Sequence, residues 1–425
     1  MNAIAGEVIE YRRALEALRN GVPNRDAVRV MGCAQAEIEQ RFRQTLDDSH
    51  EYLEKDKQPP GMLVSGGFGS GKSHLLEYLQ HLALSEDFVC SKVVISKETP
   101  LSDPAKVFSA AIESAQVPGL SGQAVQEIAS RFNHDAPEYG EFRRWCERRA
   151  EAISPLFIAT VLLHEQLGGD PEIVEKIVGF WSGEPLAMAR IRRGLKQLGL
   201  DSLHRVKGVP VRELALHRFA FIPRLILGAG YRGWVLLLDE LELAGRYSLL
   251  QRAKSYAQLA RFMGRLKGEQ YPGLITIGAI TDDFDAAVLD DKGDWLSIRP
   301  KLEAKNRDEY RTIAARAETG MRLIRREAIT LQPPGETHLR EAYQRLKQVH
   351  AKAYSWDPPD VTMAELATTR RMRSHVRRWI TQWDLHRLFP EADVRTEETE
   401  LRPTYVEDLA VEKPPAEEPP PEDTQ

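Results

Sequence analysis

The chain has 425 residues, of which 42% are hydrophobic and 28% charged, as is typical of a soluble globular protein. No apolar run is long enough to cross a bilayer, and the first residues lack the basic-then-apolar pattern of a secretory signal. Three widely spaced cysteines predict neither a zinc site nor a disulfide framework, which favours a reducing cytoplasm. Because no apolar run is long enough to span a bilayer, we expect no contact with a membrane.

Charge is distributed unevenly along the chain. Residues 391–425 carry twelve acidic and three basic side chains, a net of −9, so the remaining residues 1–390 are near +4 against a total of −5. The end of the chain is also rich in proline, which predicts a disordered acidic tail over 391–425. A mildly basic body permits contact with DNA but does not require it.

The predicted elements describe an α/β protein with helical additions. Helical periodicity over 7–20 and 34–53 predicts an N-terminal helical segment, residues 1–58. A core follows over 59–330, and a helical pattern over about 100–230 predicts a long insertion within it. Residues 331–390 predict a C-terminal helical lid. Short apolar runs predict the strands of a parallel sheet, at 62–64, 88–95, 234–238 and 274–280.

The strongest motif follows the first predicted strand and reads GGFGSGKS. It matches the P-loop pattern G-x-x-x-x-G-K-[ST], in which glycines let backbone N–H groups surround phosphate oxygens at a helix N-terminus. We expect Lys72 to contact the β- and γ-phosphates of ATP and Ser73 to bind Mg²⁺. The residues predicted to contact the nucleotide are Gly66, Gly67, Phe68, Gly69, Ser70, Gly71, Lys72, Ser73 and His74.

A second motif ends the third predicted strand, where WVLLL is followed by Asp239 and Glu240. Paired carboxylates at the end of a buried parallel strand suit a site that faces a nucleotide. We expect Asp239 to hold Mg²⁺ and Glu240 to activate the attacking water as a catalytic residue beside Lys72. Glu242 follows closely, without a firm role.

Two weaker signals leave alternatives open. Thr281, after the fourth predicted strand, could sense the γ-phosphate, or Thr281 and Asp282 could simply cap the next helix. Arginines near the end of the lid could contact the nucleotide, with Arg371 and Arg373 as candidates, or form a solvated or DNA-binding face. The lid arginines are Arg370, Arg371, Arg373, Arg377 and Arg378. Arginines that could act on a neighbouring subunit's nucleotide are Arg299, Arg307 and Arg311.

The order of these motifs resembles the AAA+ ATPases, especially the origin-recognition branch. A narrower resemblance is to the BREX-system ATP-binding family, BrxC/BrxD type, with the length of the shorter BrxD-like members. The stretches that carry it are 12–32, 64–79, 236–243 and 371–390. The resemblance implies a P-loop AAA+-like core, ATP and Mg²⁺ as cofactors, a homo-oligomer, and a role in anti-phage defence beside other defence-system proteins.

Two functional hypotheses remain at this point. In the first, the protein is an ATPase that acts as a conformational or loading factor in a DNA-directed defence complex. In the second, it is a nucleotide-gated scaffold that binds ATP, hydrolyses it slowly and holds partners. The carboxylate of Glu240 favours turnover. A metabolic kinase is disfavoured because no site for an acceptor substrate is visible in the sequence.

Overall fold

The computed structural model describes residues 2–21, 24–120, 123–148, 153–199, 209–360, 372–391 and 405–408. Its centre is a parallel sheet with the strand order β2-β3-β4-β1-β5. The strands are β1 (Met62–Ser65), β2 (Val89–Val94), β3 (Trp234–Asp239), β4 (Leu274–Ile280) and β5 (Ile329–Thr330). The α/β class and the parallel sheet are confirmed, and β5 is an edge strand that the sequence did not predict.

Helices cover both faces of the sheet, which explains why its strands are apolar without alternation. In β3, Val235 and Leu237 face α5 (Lys72–Ser85), whereas Leu236 and Leu238 join the larger core on the opposite face. The α5 side also receives α3 (Ala36–Asp47), and α4 (Ser49–Glu54) precedes β1. The carboxyl ends of β1, β3 and β4 lie at one edge of the sheet.

The predicted helical insertion corresponds to seven helices within the described residues between β2 and β3. They share an aromatic core in which Trp181 packs against Phe221 and donates a hydrogen bond to Thr160. The helices are α6 (Pro104–Glu113), α7 (Ala124–Ser130), α8 (Pro137–Arg148), α9 (Pro155–Gln166), α10 (Pro171–Ser182), α11 (Met188–Gln197) and α12 (Val211–Gly228).

The chain between β3 and β5 returns to the large core. A 3₁₀ helix (Leu241–Arg246) and a π-helical turn (Asp285–Asp291) follow β3 and β4 directly, and α13 (Leu249–Phe262), α14 (Asp294–Glu303) and α15 (Asp308–Glu327) complete this face. Gly320 of α15 lies so close to α13 that a Cβ atom there would be 2.1 Å from the Tyr256 carbonyl oxygen.

The N-terminal helices and the lid form one unit, although the sequence suggested two separate segments. The helices α1 (Asn2–Asn20), α2 (Arg25–Met31), α16 (Glu336–Tyr354) and α17 (Met372–Leu388) bury a shared core around Leu15, Leu346, Trp379 and Trp383. Asp384 of α17 joins them by accepting hydrogen bonds from Arg19, at 2.5 Å, and His350, at 3.2 Å.

Residues 405–408 belong to the segment for which the sequence predicts disorder, and they lie against the core. Tyr405 supplies an aromatic ring and a hydroxyl, and Glu407 and Asp408 meet arginines, so this short stretch has partners that its acidic composition did not indicate. None of the described helices combines the length and apolar character needed to traverse a membrane.

Candidate nucleotide-binding site

The glycine-rich turn connects β1 to the N-terminus of α5, as the motif predicts. Gly69 and Gly71 have φ angles of +80° and +105°, a region that side chains with a Cβ rarely adopt. A Cβ at Gly66 would lie 2.6 Å from the Ser70 Oγ. The turn therefore needs its glycines, and it leaves backbone N–H groups at a helix N-terminus, the geometry that binds phosphate.

Lys72 is held inside this turn. Its side chain is buried, and its Nζ donates a hydrogen bond to the Gly66 carbonyl oxygen at 2.8 Å. The same Nζ lies 3.7 Å from Oε1 of Glu242. A buried ammonium group beside a glycine cradle is the donor set that suits a phosphate chain, so the residues present fit ATP.

Glu242 is the site residue whose role the sequence left open. Glu240 adopts a left-handed conformation with φ +59°, and the 3₁₀ helix that follows directs Glu242 back toward Lys72. Burial raises the pKa of Glu242 to about 7, although the charge of Lys72 opposes this shift. Its Oε2 is buried and lacks a hydrogen-bond partner among the described residues. The DELEL pattern includes Glu242, but it does not predict that the turn directs this side chain toward Lys72.

Asp239 and Glu240 lie at the end of β3, as predicted. Asp239 is buried, and its Oδ1 accepts a hydrogen bond from the Glu240 N–H at 3.0 Å. The Asp239 carboxylate and the Ser73 hydroxyl are hard oxygen donors of the kind that Mg²⁺ prefers. Within the described part of the chain, no group of three or more His, Cys, Asp or Glu side chains could hold a metal ion. Mg²⁺ would therefore depend on phosphate and water oxygens as well.

A cavity of about 240 Å³ lies over the P-loop, between the sheet and the helical unit of the N-terminus and lid. Phe68 forms part of its wall, with the Arg373 guanidinium 5.4 Å from its ring centroid. Residues from five parts of the chain line it, among them Glu240, Met31, Cys33, Gln35, His338, Arg345, Met372 and Val376. The site is thus closed by segments far apart in sequence.

Comparison with known proteins agrees with this geometry. The family described as "BREX system ATP-binding protein BrxC/D" matches residues 10–138 and 205–379, which is most of the chain. The chain belongs to this family. The protein is therefore an ATP-binding protein of a BREX system, and the predicted family is confirmed. The unmatched residues 139–204 include α9 to α11 of the insertion. No curated protein matched the chain.

In this BREX protein, His74 connects the P-loop helix to the N-terminal helices. Its Nε2 lies 2.9 Å from the Gly32 carbonyl oxygen, and burial lowers the pKa of the imidazole. Next to it, Gln35 exchanges two hydrogen bonds with the Gln332 backbone, at 2.9 and 3.0 Å. His74 also lines the cavity. Its contact with the nucleotide therefore remains a prediction, in addition to its contact with Gly32.

Thr281, at the end of β4, has a hydrogen-bond partner that the sequence did not predict. Thr281 is buried, and its Oγ1 lies 2.5 Å from the hydroxyl of Tyr405. Asp282 is exposed, and a Cβ atom added at Gly67 would lie 3.7 Å from its Oδ2. The BREX protein thus places the end of β4 beside the P-loop, where a sensor of phosphate would lie.

The candidate arginines separate into three groups. Arg373 lines the cavity, whereas Arg370 and Arg371 lie outside the described residues. Arg299 and Arg311 are exposed and pair with acids on their own helices, Arg299 with Glu303 at 2.9 Å. The residues that line the cavity do not include Arg299, Arg307 or Arg311.

Proposed function

We propose that this BREX protein hydrolyses ATP at the end of the sheet and uses nucleotide exchange to move its helical unit. The observation that carries the proposal is that Lys72, Ser73 and Glu240 line one cavity, which the lid and N-terminal helices close. Asp239 lies next to Glu240 and accepts a hydrogen bond from its N–H. These residue types supply phosphate binding, a Mg²⁺ site and a general base.

The roles follow from the contacts. Lys72 would exchange its bond to the Gly66 carbonyl for bonds to the β- and γ-phosphate oxygens. Mg²⁺, when bound, would neutralise phosphate charge beside Ser73 and Asp239. Glu240 would orient a water molecule and accept its proton as the water oxygen attacks the γ-phosphorus and the bond to ADP breaks. ADP and inorganic phosphate are the products.

Closure over the nucleotide would convert this chemistry into movement. The helices α1, α2, α16 and α17 share one core, so a nucleotide contact made by Arg373 of α17 would act on the whole unit. A ligand shifts a conformational equilibrium only by its difference in affinity for the two states, and a cavity formed between two units provides that difference. We propose that this movement serves a conformational or loading role on DNA beside other defence-system proteins.

The proposed homo-oligomer rests on exposed arginines. Arg299, Arg307 and Arg311 are on or next to α14 and α15 and do not line their own cavity, so a nucleotide that they contact would belong to a neighbouring subunit. An arginine supplied in trans stabilises the charge that develops on the γ-phosphate.

Two variants test the hydrolysis proposal. Lys72→Ala should weaken ATP binding by roughly 10- to 100-fold, because it removes a charge-assisted contact. Glu240→Gln should still bind ATP but lower kcat by roughly 10²- to 10⁴-fold. Glu242→Gln and Asp282→Asn are run as matched acid-to-amide controls. Full hydrolysis by Glu240→Gln would transfer the role of base to one of these two residues.

Trapped ATP should also test assembly. If an arginine contacts a neighbour's nucleotide, Glu240→Gln with ATP and Mg²⁺ should sediment as a larger species than Lys72→Ala does. Arg299→Ala, Arg307→Ala and Arg311→Ala in the Glu240→Gln background would then identify the arginine. Equal, monomeric sedimentation of Glu240→Gln and Lys72→Ala would contradict the oligomer.

A second candidate function is the nucleotide-gated scaffold with little turnover. The observation in its favour is that Lys72 and Thr281, two groups expected to contact phosphate, already have partners within the protein. Steady-state hydrolysis measured with and without DNA separates the candidates. Slow turnover that DNA does not stimulate would favour the scaffold.

A further inference from the structure

Residues 405–408, with the sequence Tyr-Val-Glu-Asp, occupy a site built from the segments that follow β3 and β4. The ring of Tyr405 packs edge-on against Phe284, with centroids 5.8 Å apart and planes at 89°. A Cβ at Gly245 would be 2.9 Å from the Tyr405 ring, so a glycine makes room for it. The site therefore has an aromatic slot shaped for this residue.

Two arginines of the same surface meet the acidic residues. Glu407 accepts a hydrogen bond from Arg252 at 2.6 Å, and Arg252 is itself buried. Asp408 pairs with Arg246 at 3.0 Å, and its backbone N–H donates to the Arg246 carbonyl oxygen at 3.1 Å. Ring, charge and backbone contacts together specify Tyr-x-Glu-Asp rather than an arbitrary acidic segment.

The hydroxyl contacts have a definite direction. Tyr405 donates its hydrogen to Oδ1 of Asp283 at 2.8 Å, because an ionised carboxylate only accepts. The Tyr405 hydroxyl has one hydrogen, so its 2.5 Å contact with Thr281 must use the Thr281 hydrogen. Thr281 then has no hydrogen left to donate to a phosphate oxygen.

Thr281 also lies where such a donation would matter. It follows β4, whose Ile280 carbonyl accepts a hydrogen bond from the Gly66 N–H at 3.2 Å, and Gly66 begins the P-loop. The 3₁₀ helix that holds Gly245 and Arg246 is the one that holds Glu242 against Lys72. The segment at 405–408 therefore contacts both the 3₁₀ helix that carries Glu242 and the end of β4 beside the P-loop.

We propose that the surface formed by Gly245, Arg246, Arg252, Thr281 and Phe284 is a binding site for a Tyr-x-Glu-Asp segment. The chain's own residues 405–408 fill it and withhold the Thr281 hydroxyl from ATP. The site is specific for this segment, and ATP competes with it. The competition rests on the proposed function, because it assumes that Thr281 contacts the γ-phosphate.

Binding competition is reciprocal, which makes the inference measurable. If the segment lowers ATP affinity by some factor, ATP lowers occupancy of the segment by the same factor. In the full chain, Tyr405→Phe keeps the ring and removes the hydroxyl, so it should raise ATP affinity roughly fivefold. Val406→Ala is the matched control, since the Val406 side chain is 73% exposed and should leave affinity unchanged.

Hydrogen exchange at the Asp408 amide gives a readout that does not depend on hydrolysis. ATP with Mg²⁺ should accelerate its exchange in the wild-type chain, and a synthetic peptide of residues 401–410 should lower the raised ATP affinity of a Tyr405→Ala chain. Unchanged or weaker ATP binding by Tyr405→Phe, or Asp408 exchange insensitive to ATP, would overturn the proposal. A wild-type chain that binds ATP without hydrolysing it would contradict only the proposed hydrolysis, and these binding comparisons would still decide the inference.

Discussion

Replacing Glu242 with glutamine should stabilise the folded protein strongly at alkaline pH and only slightly near pH 5. Glu242 is buried beside Lys72, and burial raises the pKa of its carboxyl from 4.5 to about 7. A carboxyl with a raised pKa favours the folded state when protonated, and that contribution is lost as the pH rises through the folded pKa. Glutamine resembles the protonated form and does not ionise.

The size of the effect follows from the pKa. One pKa unit corresponds to about 1.4 kcal/mol, so ionising Glu242 in the folded state costs about 3 kcal/mol when complete. The difference between Glu242→Gln and the wild type should therefore grow from about 1 kcal/mol at pH 5 to about 3 kcal/mol at pH 8. Lys72 keeps its hydrogen bond to the Gly66 carbonyl in the variant, so the P-loop should stay formed.

The assay is urea denaturation of both proteins between pH 5 and pH 8 without nucleotide, followed by tryptophan fluorescence. Glu54→Gln, an exchange at an exposed position in α4, serves as the control and should give a small difference at every pH. A difference for Glu242→Gln that does not depend on pH would refute the reasoning. So would a variant less stable than the wild type at pH 8, because the charge pair with Lys72 would then outweigh burial.

Three further predictions concern packing and charge. Gly320→Ala should lower the free energy of unfolding by about 3 kcal/mol, measured in urea, because its Cβ would lie 2.1 Å from the Tyr256 carbonyl oxygen and α13 and α15 would have to separate. Burial opposes ionisation of Asp384, but the hydrogen bond from His350 and nearby arginine charge lower its pKa, so the thermal midpoint should fall as the pH drops below about 4. Trp379→Ala should cost about 3 to 5 kcal/mol by urea denaturation and weaken ATP binding by loosening the lid.

Each of these predictions has a control or a contradicting result. Gly6→Ala, in α1 with open space around the new methyl group, should be nearly neutral beside Gly320→Ala. Asp384→Asn should remove part of the acid sensitivity, and an unchanged pH profile would exclude Asp384 as its source. Normal ATP affinity in a folded Trp379→Ala chain would show that the nucleotide does not depend on the lid.

The fold was predictable where one local pattern determined one element. Apolar runs bounded by glycine and proline gave β1 to β4, and the P-loop motif gave the start of α5, because these segments are buried on both faces or carry obligatory glycines. The packing of α1 and α2 on α16 and α17 was not predictable, since it joins residues more than 300 positions apart. Amphipathic faces show that a helix is covered, but not by which other helix.

The candidate site shows the same division. Lys72 and Asp239 lie within motifs whose spacing places Lys72 at the start of α5 and Asp239 at the end of β3. The contact of Glu242 with Lys72 depends on the left-handed conformation of Glu240, and no residue type in DELEL indicates that turn. The sequence predicts disorder around Tyr405 because composition averages over a whole segment. The packing of residues 405–408 depends instead on one aromatic ring and two acidic side chains, which composition does not reveal.

In the proposed site, nucleotide binding would replace existing contacts within the protein rather than occupy unpaired donors. Lys72 contacts Gly66 and Glu242, and Thr281 contacts the Tyr405 hydroxyl, so ATP would displace both sets of contacts if it binds as proposed. The measured affinity for ATP would then reflect the free energy gained from phosphate contacts minus the free energy lost with the displaced contacts, so each displaced contact lowers it. Two of the displaced groups, Glu242 and Tyr405, would belong to the 3₁₀ helix after β3 and to residues 405–408. Phosphate binding would therefore release two segments at once, and this links the presence of ATP to a change on the surface of the protein.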